Sequence, residues 1–236
     1  MRGWIVPPPK ESTKSSEAFR REREEKVNWL IRQGYLRSDR IKEALLRVPR
    51  EDFIPALYRD YAYLEVPIPL PGKEATISCQ HSYPLFYEPL GLDRGHQFLE
   101  VGLGSGYGAA VAREVVGPEG LVVSIEIDPL TFEFGRKNLE NRGYHDIVLV
   151  NGDGSLGYPA KSPYDRISIT AACPDVPPPL IEQLKIGGRL ISPVIEDGIQ
   201  NLVLIEKGEK DIRRKVVCEV LYVSLRGRYG EGHTLF

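Results

Sequence analysis

The chain has 236 residues, of which 42% are hydrophobic and 27% are charged, as is usual for a globular protein with one substantial core. The formal net charge of -2 provides no overall basic field for holding nucleic acid. No apolar run reaches the roughly twenty residues of a membrane span, and the N-terminus has no apolar signal segment. We therefore expect a cytoplasmic protein with neither nucleic acid nor membrane as a partner.

Three cysteines, Cys79, Cys173 and Cys218, lie far apart along the chain. They form no C-x-x-C pair and no spacing with histidine that is typical of a metal site. A small, odd number of cysteines is typical of proteins in a reducing compartment, which agrees with the cytoplasm. The sequence therefore predicts no metal centre.

The N-terminal part of the chain predicts a tail followed by helices. Residues 1–15 are rich in proline, serine and lysine and offer little to a core, so we expect a flexible tail. Apolar residues at helical spacing then predict three helices: 16–33, one from the N-cap Ser38 to a stop at Pro49, and 83–90. Residues 61–78 predict loop and short extended pieces. We expect residues 16–92 to form a helical extension on the substrate side.

From residue 93 onward, short strands alternate with helices. Strands are predicted near 97–101, 121–126, 147–151, 165–170 and 188–194, and helices near 106–116, 129–142 and 177–185. Such short spacing requires a parallel sheet with helices on both faces. Two apolar runs, 200–206 and 215–223, flank turn residues and predict a closing antiparallel hairpin. Residues 93–236 are therefore expected to form one Rossmann-like α/β domain.

The most informative segment is the glycine-rich turn after the first of these strands, Glu100-Val101-Gly102-Leu103-Gly104-Ser105-Gly106. Such a turn brings bare backbone to a ligand at the carboxyl end of a parallel strand. Residues 104–109 also fit the dinucleotide pattern G-x-G-x-x-A, so a nicotinamide or flavin cofactor is an alternative. Glu100, Glu126 and Asp153, each near a strand end, would repel a pyrophosphate. They suit S-adenosylmethionine, which carries sulfonium and ammonium charges and no phosphate.

Each of these groups has a predicted part in binding S-adenosylmethionine. The three glycines Gly102, Gly104 and Gly106 would let the backbone approach the methionine portion. Glu126 would accept hydrogen bonds from both ribose hydroxyls, and Asp153 would accept one from the adenine amino group. The simpler alternatives are a tight turn without a ligand, a carboxylate at a helix start and an Asp-Gly turn.

A second set of polar residues precedes the domain, in Thr76-Ile77-Ser78-Cys79-Gln80-His81. Ser78 and His81 would make a nucleophile and its base, but no acid is placed in the sequence to orient the histidine. Contact with an acceptor group is the simpler role. Cys79 is a candidate thiol, although free cysteines are more often small buried hydrophobes.

These motifs together resemble the protein-L-isoaspartate (D-aspartate) O-methyltransferase family, over about residues 27–229. The matching segments are 48–55, 58–63, 76–78 with His81, 100–107, 124–126, 152–154 and 170–174. The resemblance implies a Rossmann-like S-adenosylmethionine-dependent methyltransferase fold, mostly parallel, with the antiparallel hairpin and the helical extension. It also implies a monomeric repair enzyme that methylates the α-carboxylate of L-isoaspartyl residues in damaged proteins.

By the same resemblance, the hydroxyl of Ser78 would be catalytic by hydrogen bonding to the acceptor carboxylate. The residues implied to bind the substrate are Thr76, His81, Ala171 and Ala172. The backbone of 171–176 and of 221–225 would hold the peptide as an extended strand. The acceptor carboxylate is already ionised near pH 7, so the reaction needs orientation and desolvation more than a strong base.

Five positions depart from the family pattern. Gln80 and Ser224 stand where proline is usual, and Tyr222 where phenylalanine is usual. Ser82 stands where an apolar residue is usual, and Leu103 where threonine is common. The cofactor positions are intact, whereas positions on the acceptor side are altered. Two alternatives follow. One is a paralogous methyltransferase of the same fold with a different acceptor, and the other is a non-catalytic module that only binds the cofactor.

Overall fold

The structure of the protein, a computed structural model, describes residues 7–230. Nine strands occur within that range: β1 (Ile68–Pro69), β2 (Thr76–Ile77), β3 (Gln97–Val101), β4 (Leu121–Glu126), β5 (Val148–Asn151), β6 (Tyr164–Ile169), β7 (Leu184–Glu196), β8 (Ile199–Lys207) and β9 (Ile212–Glu219). The same range holds six α-helices: α1 (Ser16–Arg32), α2 (Asp39–Arg47), α3 (Ser82–Leu90), α4 (Tyr107–Val116), α5 (Pro129–Asn141) and α6 (Pro178–Glu182). None of these helices is long and apolar enough to cross a membrane.

The predicted fold class is confirmed by the central sheet. Its seven strands lie in the order β5-β4-β3-β6-β7-β8-β9. The first five are parallel, and β8 and β9 close the sheet in antiparallel pairs. Strand β3 lies in the middle of the five parallel strands, because the chain crosses from β5 on one side of it to β6 on the other. The carboxyl ends of β3, β4 and β6 therefore meet at a switch point, where open α/β sheets bind ligands.

One hairpin was not predicted. A two-residue turn, Asp197-Gly198, joins β7 to β8, and both residues have positive φ, 51° and 79°. Asp-Gly between apolar runs is a strong hairpin signal, because such turns favour residues that tolerate this backbone region. The hairpin predicted between 200–206 and 215–223 is also present, as β8 and β9.

The start of β7 differs from the sequence prediction. The helix expected over 177–185 ends at Glu182, and the strand already begins at Leu184. Pairing of β7 with β6 is interrupted between Tyr164 and Arg166, opposite the turn residues around Gly187. The residues around Gly187 therefore form an irregularity inside one long strand.

The N-terminal helices and the sheet share one hydrophobic core. The buried cluster on one face of the sheet runs from Phe19 and Leu30 in α1 to Val111 in α4 and Ile191 in β7. A second cluster on the opposite face contains alternate strand residues such as Leu99 and is covered by the short α6. Residues 16–92, which we predicted as an extension, thus pack into the same body as the methyltransferase domain.

Residues 8–14 differ from the predicted flexible tail. The Asp60 carboxylate accepts hydrogen bonds from Ser12 Oγ at 2.7 Å and from the Thr13 N–H at 3.2 Å. Lys14 Nζ donates to the Asp60 carbonyl oxygen at 2.6 Å, and Tyr61 donates to the Pro8 carbonyl oxygen at 3.0 Å. A buried carboxylate needs such partners, so this segment is held against the body. Residues 1–6 of the predicted tail lie outside the described residues.

Candidate active site

A cavity of about 830 Å³ opens at the carboxyl ends of β3, β4 and β6. One wall is the glycine-rich turn with Glu100 and Glu126, and the other is the segment from Thr76 to Ser82. Residues 218–226, at the end of β9 and directly after it, complete the wall. The sheet register explains the first wall: Glu100 pairs with Ser124, and Val101 pairs with Ile125. The turn after β3 therefore lies beside the end of β4.

Glu100 is buried at the base of this cavity. Its carboxylate accepts a hydrogen bond of 2.6 Å from Ser124 Oγ. Burial raises the pKa of Glu100 to about 8, against the effect of the Ser124 hydrogen bond, and the nearby charge of Glu126 raises it further. Glu100 is therefore mostly protonated near pH 7 in the protein alone. A positively charged ligand in the cavity would favour the ionised carboxylate.

Glu126 is positioned by backbone N–H groups on both carboxylate oxygens. Gly104 N–H donates to Oε2 at 3.1 Å, and Asp128 N–H donates to Oε1 at 3.0 Å. Burial raises the pKa of Glu126, and these backbone hydrogen bonds partly oppose it. Arg226 lies 4.0 Å from Oε1. Each oxygen still has a lone pair for a ligand hydroxyl, as the sequence prediction requires.

The three predicted cofactor-binding glycines have different surroundings. Gly102 and Gly104 line the cavity. A Cβ at Gly102 would lie 2.2 Å from Thr170 Oγ1, whereas at Gly104 the nearest atom would be 3.7 Å away, in Leu70. Gly106 is absent from the lining residues, and its Cβ would lie 2.9 Å from Leu139 and from the Gly135 carbonyl oxygen of α5. Gly106 is thus required for helix packing rather than for ligand contact.

Asp153 also differs from its predicted place. Its carboxylate accepts hydrogen bonds from the Ser155 N–H at 2.9 Å, from Ser155 Oγ at 2.7 Å and from the Arg228 N–H at 2.8 Å. The lining residues include the adjacent Gly154 but not Asp153. In this structure the carboxylate caps a 3-10 turn and holds the segment that follows β9. An adenine contact by Asp153 is not present in this arrangement and stays a prediction.

The predicted acceptor-side residues Thr76, Ser78 and His81 all line the cavity. The Ser78 carbonyl oxygen accepts a hydrogen bond from the buried Arg50. Burial raises the pKa of Tyr222 on the facing wall, and hydrogen bonding from Ser82 and Ser78 opposes the rise. The Ser78 side chain therefore lies close to Tyr222 in the lining of the cavity. Its contact with an acceptor stays a prediction.

Ala171 and Ala172, both predicted to bind the substrate, have different surroundings in the structure. Ala171 lines the cavity, whereas Ala172 is fully buried. The Ala172 N–H donates to the Val223 carbonyl oxygen at 2.8 Å, and the Leu225 N–H donates to the Ala172 carbonyl oxygen at 2.7 Å. Because the chain itself occupies both backbone groups, Ala172 offers a peptide no anchor. In this arrangement the predicted peptide contact through the backbone of Ala172 is not available, and the peptide-binding strand at 171–176 stays a prediction.

Sequence reasoning missed several residues of the site. Arg50, Glu65 and Arg226 were not singled out, although Glu65 and Arg226 line the cavity and Arg50 supports the Ser78 segment. Only Arg50 carried a usable signal, since an arginine between the apolar residues Val48 and Phe53 is expected to have a structural partner. The others come together only when the C-terminal segment crosses the end of the sheet.

Comparison with known proteins agrees with this geometry. Residues 21–230 match the model of the family described as Protein-L-isoaspartate(D-aspartate) O-methyltransferase (PCMT). The chain belongs to this family. A protein-L-isoaspartate O-methyltransferase of Hyperthermus butylicus is 45% identical over 92% of this chain and 94% of that protein. One of Methanopyrus kandleri is 46% identical over 91% of this chain and 95% of that protein.

Solved structures show the same fold. A protein-L-isoaspartate O-methyltransferase superposes with a TM-score of 0.82 at 35% identity, over 88% of this chain and 67% of that chain. A Plasmodium falciparum structure described as such an enzyme in complex with S-adenosyl-L-homocysteine has a TM-score of 0.78 at 22% identity. That match covers 86% of this chain and 98% of the other. The family resemblance predicted from the sequence is thus confirmed.

Proposed function

We propose that this protein transfers the methyl group of S-adenosylmethionine to the α-carboxylate of L-isoaspartyl residues in damaged proteins. The single observation that supports the proposal is one cavity that is lined both by the Ser78 segment and by Glu100 and Glu126. Membership of the family confirms the predicted enzyme class and its cofactor. The assignment of individual residues to roles is part of the proposal.

The cofactor side of the cavity suits S-adenosylmethionine. Its volume of about 830 Å³ falls in the range of small-molecule sites, roughly 300–1,000 Å³. Glu126, held by two backbone N–H groups, would accept the ribose hydroxyls. Glu100 would lie near the cationic groups of the cofactor, where ionisation of its carboxyl offsets their charge. Gly104 would allow close approach of the backbone.

On the acceptor side, the residues would act by orientation. The Ser78 hydroxyl would hydrogen-bond one oxygen of the acceptor carboxylate and turn the other toward the sulfonium methyl group. The carboxylate is already a nucleophile at neutral pH, so the barrier falls chiefly through alignment and loss of water around both charges. Closure of the cavity wall by residues 218–226 would help to exclude that water.

The departures from the family pattern give the alternative acceptor little support. Gln80 is fully buried, and its Nε2 donates to the Tyr107 hydroxyl at 3.3 Å. It is not among the lining residues and so would not contact an acceptor. Leu103 lines the cofactor side of the cavity. The three other departures also line the cavity: Ser82, Tyr222 and Ser224. Any change of acceptor preference would therefore come from those three residues.

The decisive experiment is transfer of labelled methyl from S-adenosylmethionine to three matched peptides, which contain isoaspartate, aspartate or asparagine at one position. Base-labile label on the isoaspartyl peptide alone is the expected result. Label on the aspartyl peptide instead, or on none of the three while the cofactor binds, would contradict the proposed acceptor. Calorimetry of cofactor binding is therefore run on the same preparation.

We further propose that the enzyme acts as a monomer in the cytoplasm, on protein rather than nucleic-acid substrates. In support, both walls of the cavity come from one chain. The cysteines at 79, 173 and 218 are all free thiols, as expected in a reducing compartment. Light scattering after size exclusion should give the mass of a single chain, and the mass of a dimer would contradict the proposal.

A further inference from the structure

The cavity wall on the acceptor side brings together three side chains that the sequence did not connect. Glu65, Cys79 and His81 each offer one ligand atom, and these atoms all lie within 4.8 Å of one another. Each residue is half-buried and lines the cavity. The spacing of Cys79 and His81 alone predicts no metal site. Only the fold supplies the third donor, Glu65, from the loop before β1.

We infer that Glu65, Cys79 and His81 form a binding site for one divalent transition-metal ion of the Zn²⁺ type. A thiolate, an imidazole nitrogen and a carboxylate oxygen are the three donor types that Zn²⁺ takes in proteins. Three protein ligands with a fourth position open to a cavity are typical of Zn²⁺ sites that bind an exchangeable ligand. Small side-chain movements would bring the three atoms to bonding distance of a common ion.

Neighbouring groups already hold two of the donors in place. His81 Nδ1 contacts Glu65 Oε2, and the Tyr35 ring packs against the imidazole at 5.2 Å between ring centroids. Lys26 Nζ pairs with the other carboxylate oxygen, Glu65 Oε1, at 3.1 Å. Lys26 can keep that contact while Oε2 binds the ion. On binding, the ion replaces the proton between Glu65 and His81, and the Cys79 thiol releases its proton to solvent.

Because the site lies beside the proposed acceptor position, a bound metal ion should affect methyl transfer. This expectation rests on the proposed function. Ser78 is adjacent to Cys79 and lines the same wall. A bound cation with an open coordination position would attract the acceptor carboxylate and draw it away from the methyl donor. We therefore expect Zn²⁺ to inhibit methyl transfer reversibly, in competition with the peptide and not with S-adenosylmethionine.

The direct test uses Co²⁺ as a spectroscopic probe on the full chain, purified without a histidine tag and freed of metals. One equivalent of Co²⁺ should produce a near-ultraviolet charge-transfer band from the thiolate and visible bands of low-coordinate cobalt. Zn²⁺ should displace it. Cys79→Ser should abolish the charge-transfer band. Glu65→Gln and His81→Ala should each weaken cobalt binding by at least about 10- to 100-fold, which is the loss expected even for a residue that only hydrogen-bonds to a metal ligand.

Cys218→Ser is the matched control, because Cys218 is a second half-buried thiol on the cavity wall and is not part of the three-residue cluster. It should retain the full cobalt spectrum. Absence of any band in the wild-type chain, or a band that survives Cys79→Ser, would overturn the inference. Thermal unfolding of each variant checks that a lost band is not a lost fold.

The activity measurement separates this inference from the proposed function. Zn²⁺ should raise the apparent KM for the isoaspartyl peptide, and a chelator should reverse the effect. Cys79→Ser should be resistant. If no peptide is methylated at all, the cobalt spectrum still decides whether the metal site exists. If methylation occurs without zinc inhibition while cobalt binds through Cys79, the site exists but does not block the acceptor, and that part of the inference is wrong.

Discussion

The guanidinium of Arg50 donates a hydrogen bond of 2.6 Å to the backbone carbonyl oxygen of Ser78. Arg50 is fully buried, and its Nε donates to the Ala62 carbonyl oxygen at 2.7 Å. The guanidinium also lies 5.3 Å from the centroid of the Tyr107 ring at the start of α4. One side chain thus fixes the acceptor-side segment against the cofactor-side helix.

Arg50→Lys is expected to destabilise the protein by about 2–4 kcal/mol, because an ammonium cannot make both directed hydrogen bonds to Ser78 and Ala62. Urea unfolding measures the loss. Arg47→Lys is the control, since Arg47 pairs with Glu114 on the surface and its replacement should cost less than about 0.5 kcal/mol. Equal stability of the two variants would contradict the role given to Arg50.

Glu126→Gln should weaken binding of S-adenosylmethionine by about 10- to 100-fold, because hydrogen bonds from the ribose hydroxyls to a charged acceptor are worth about 1.5–3 kcal/mol. Isothermal titration calorimetry measures the change in Kd. The matched control is Glu133→Gln on α5, where the carboxylate pairs with Arg136 away from the cavity. An unchanged Kd for Glu126→Gln would exclude Glu126 from ribose binding.

The pH dependence of the free energy of unfolding should reveal the ionisation of Glu100. A carboxyl group whose pKa rises from 4.5 to about 8 on folding holds its proton in the folded state while the unfolded chain releases it. Its contribution to the free energy of unfolding is therefore full below pH 4.5 and decreases as pH rises to about 8. Relative to Glu100→Gln, the wild-type protein should lose on the order of a few kcal/mol between pH 5 and pH 8.

Urea unfolding of both proteins at the two pH values measures this difference, and the variant cancels the contribution of other titrating groups. Parallel pH profiles for the two proteins would show that Glu100 does not carry the effect. Calorimetry in buffers of different ionisation enthalpy provides a second readout. If the cofactor draws Glu100 into its ionised form, binding near pH 7 should release a proton, and Glu100→Gln should abolish that release.

Ser78→Ala should lower kcat/KM for the isoaspartyl peptide by about 10- to 100-fold, which corresponds to the loss of one hydrogen bond to a charged group. The Kd for S-adenosylmethionine should not change, because the proposed partner of Ser78 is the acceptor carboxylate and not the cofactor. Ser82→Ala is a useful comparison, since Ser82 lines the same wall and also interacts with Tyr222. Full activity of Ser78→Ala would remove Ser78 from the mechanism.

Alanine substitutions at two glycines of the turn should differ in their effects on stability and on cofactor binding. Gly106 has φ of 84°, and a Cβ there would lie 2.9 Å from Leu139, so Gly106→Ala should cost about 2–4 kcal/mol. Gly104 has φ of 54° with 3.7 Å of room, so Gly104→Ala should cost only about 1–2 kcal/mol. Because Gly104 lines the cavity, its variant should also bind S-adenosylmethionine about tenfold more weakly.

Urea unfolding and calorimetric titration of the two variants give both quantities. A stable Gly106→Ala with impaired cofactor binding would reverse the assignment and return Gly106 to the ligand site. The same result would restore the prediction made from the sequence, in which the three glycines had one shared role.

The sequence by itself determined the sheet and the cofactor side of the cavity. Strand and helix periods are local, so the ranges near Glu100 and Glu126 could be predicted closely from short apolar runs and turn residues. The parallel arrangement followed from the short connections, and the carboxyl ends of such strands meet at one edge. The glycine-rich turn and the nearby acids therefore indicated a site for S-adenosylmethionine before any contact was known.

Only the tertiary structure decided which groups face the ligand. Gly106, Asp153 and Ala172 were each predicted to contact a ligand. Gly106 packs against α5, whereas the polar groups of Asp153 and Ala172 are hydrogen-bonded to the segment after β9. Contacts between residues about 30 to 75 positions apart set these orientations, and no local period encodes them. For the same reason, the sequence did not predict the contact between Arg50 and Ser78, or the position of Glu65 beside Cys79 and His81.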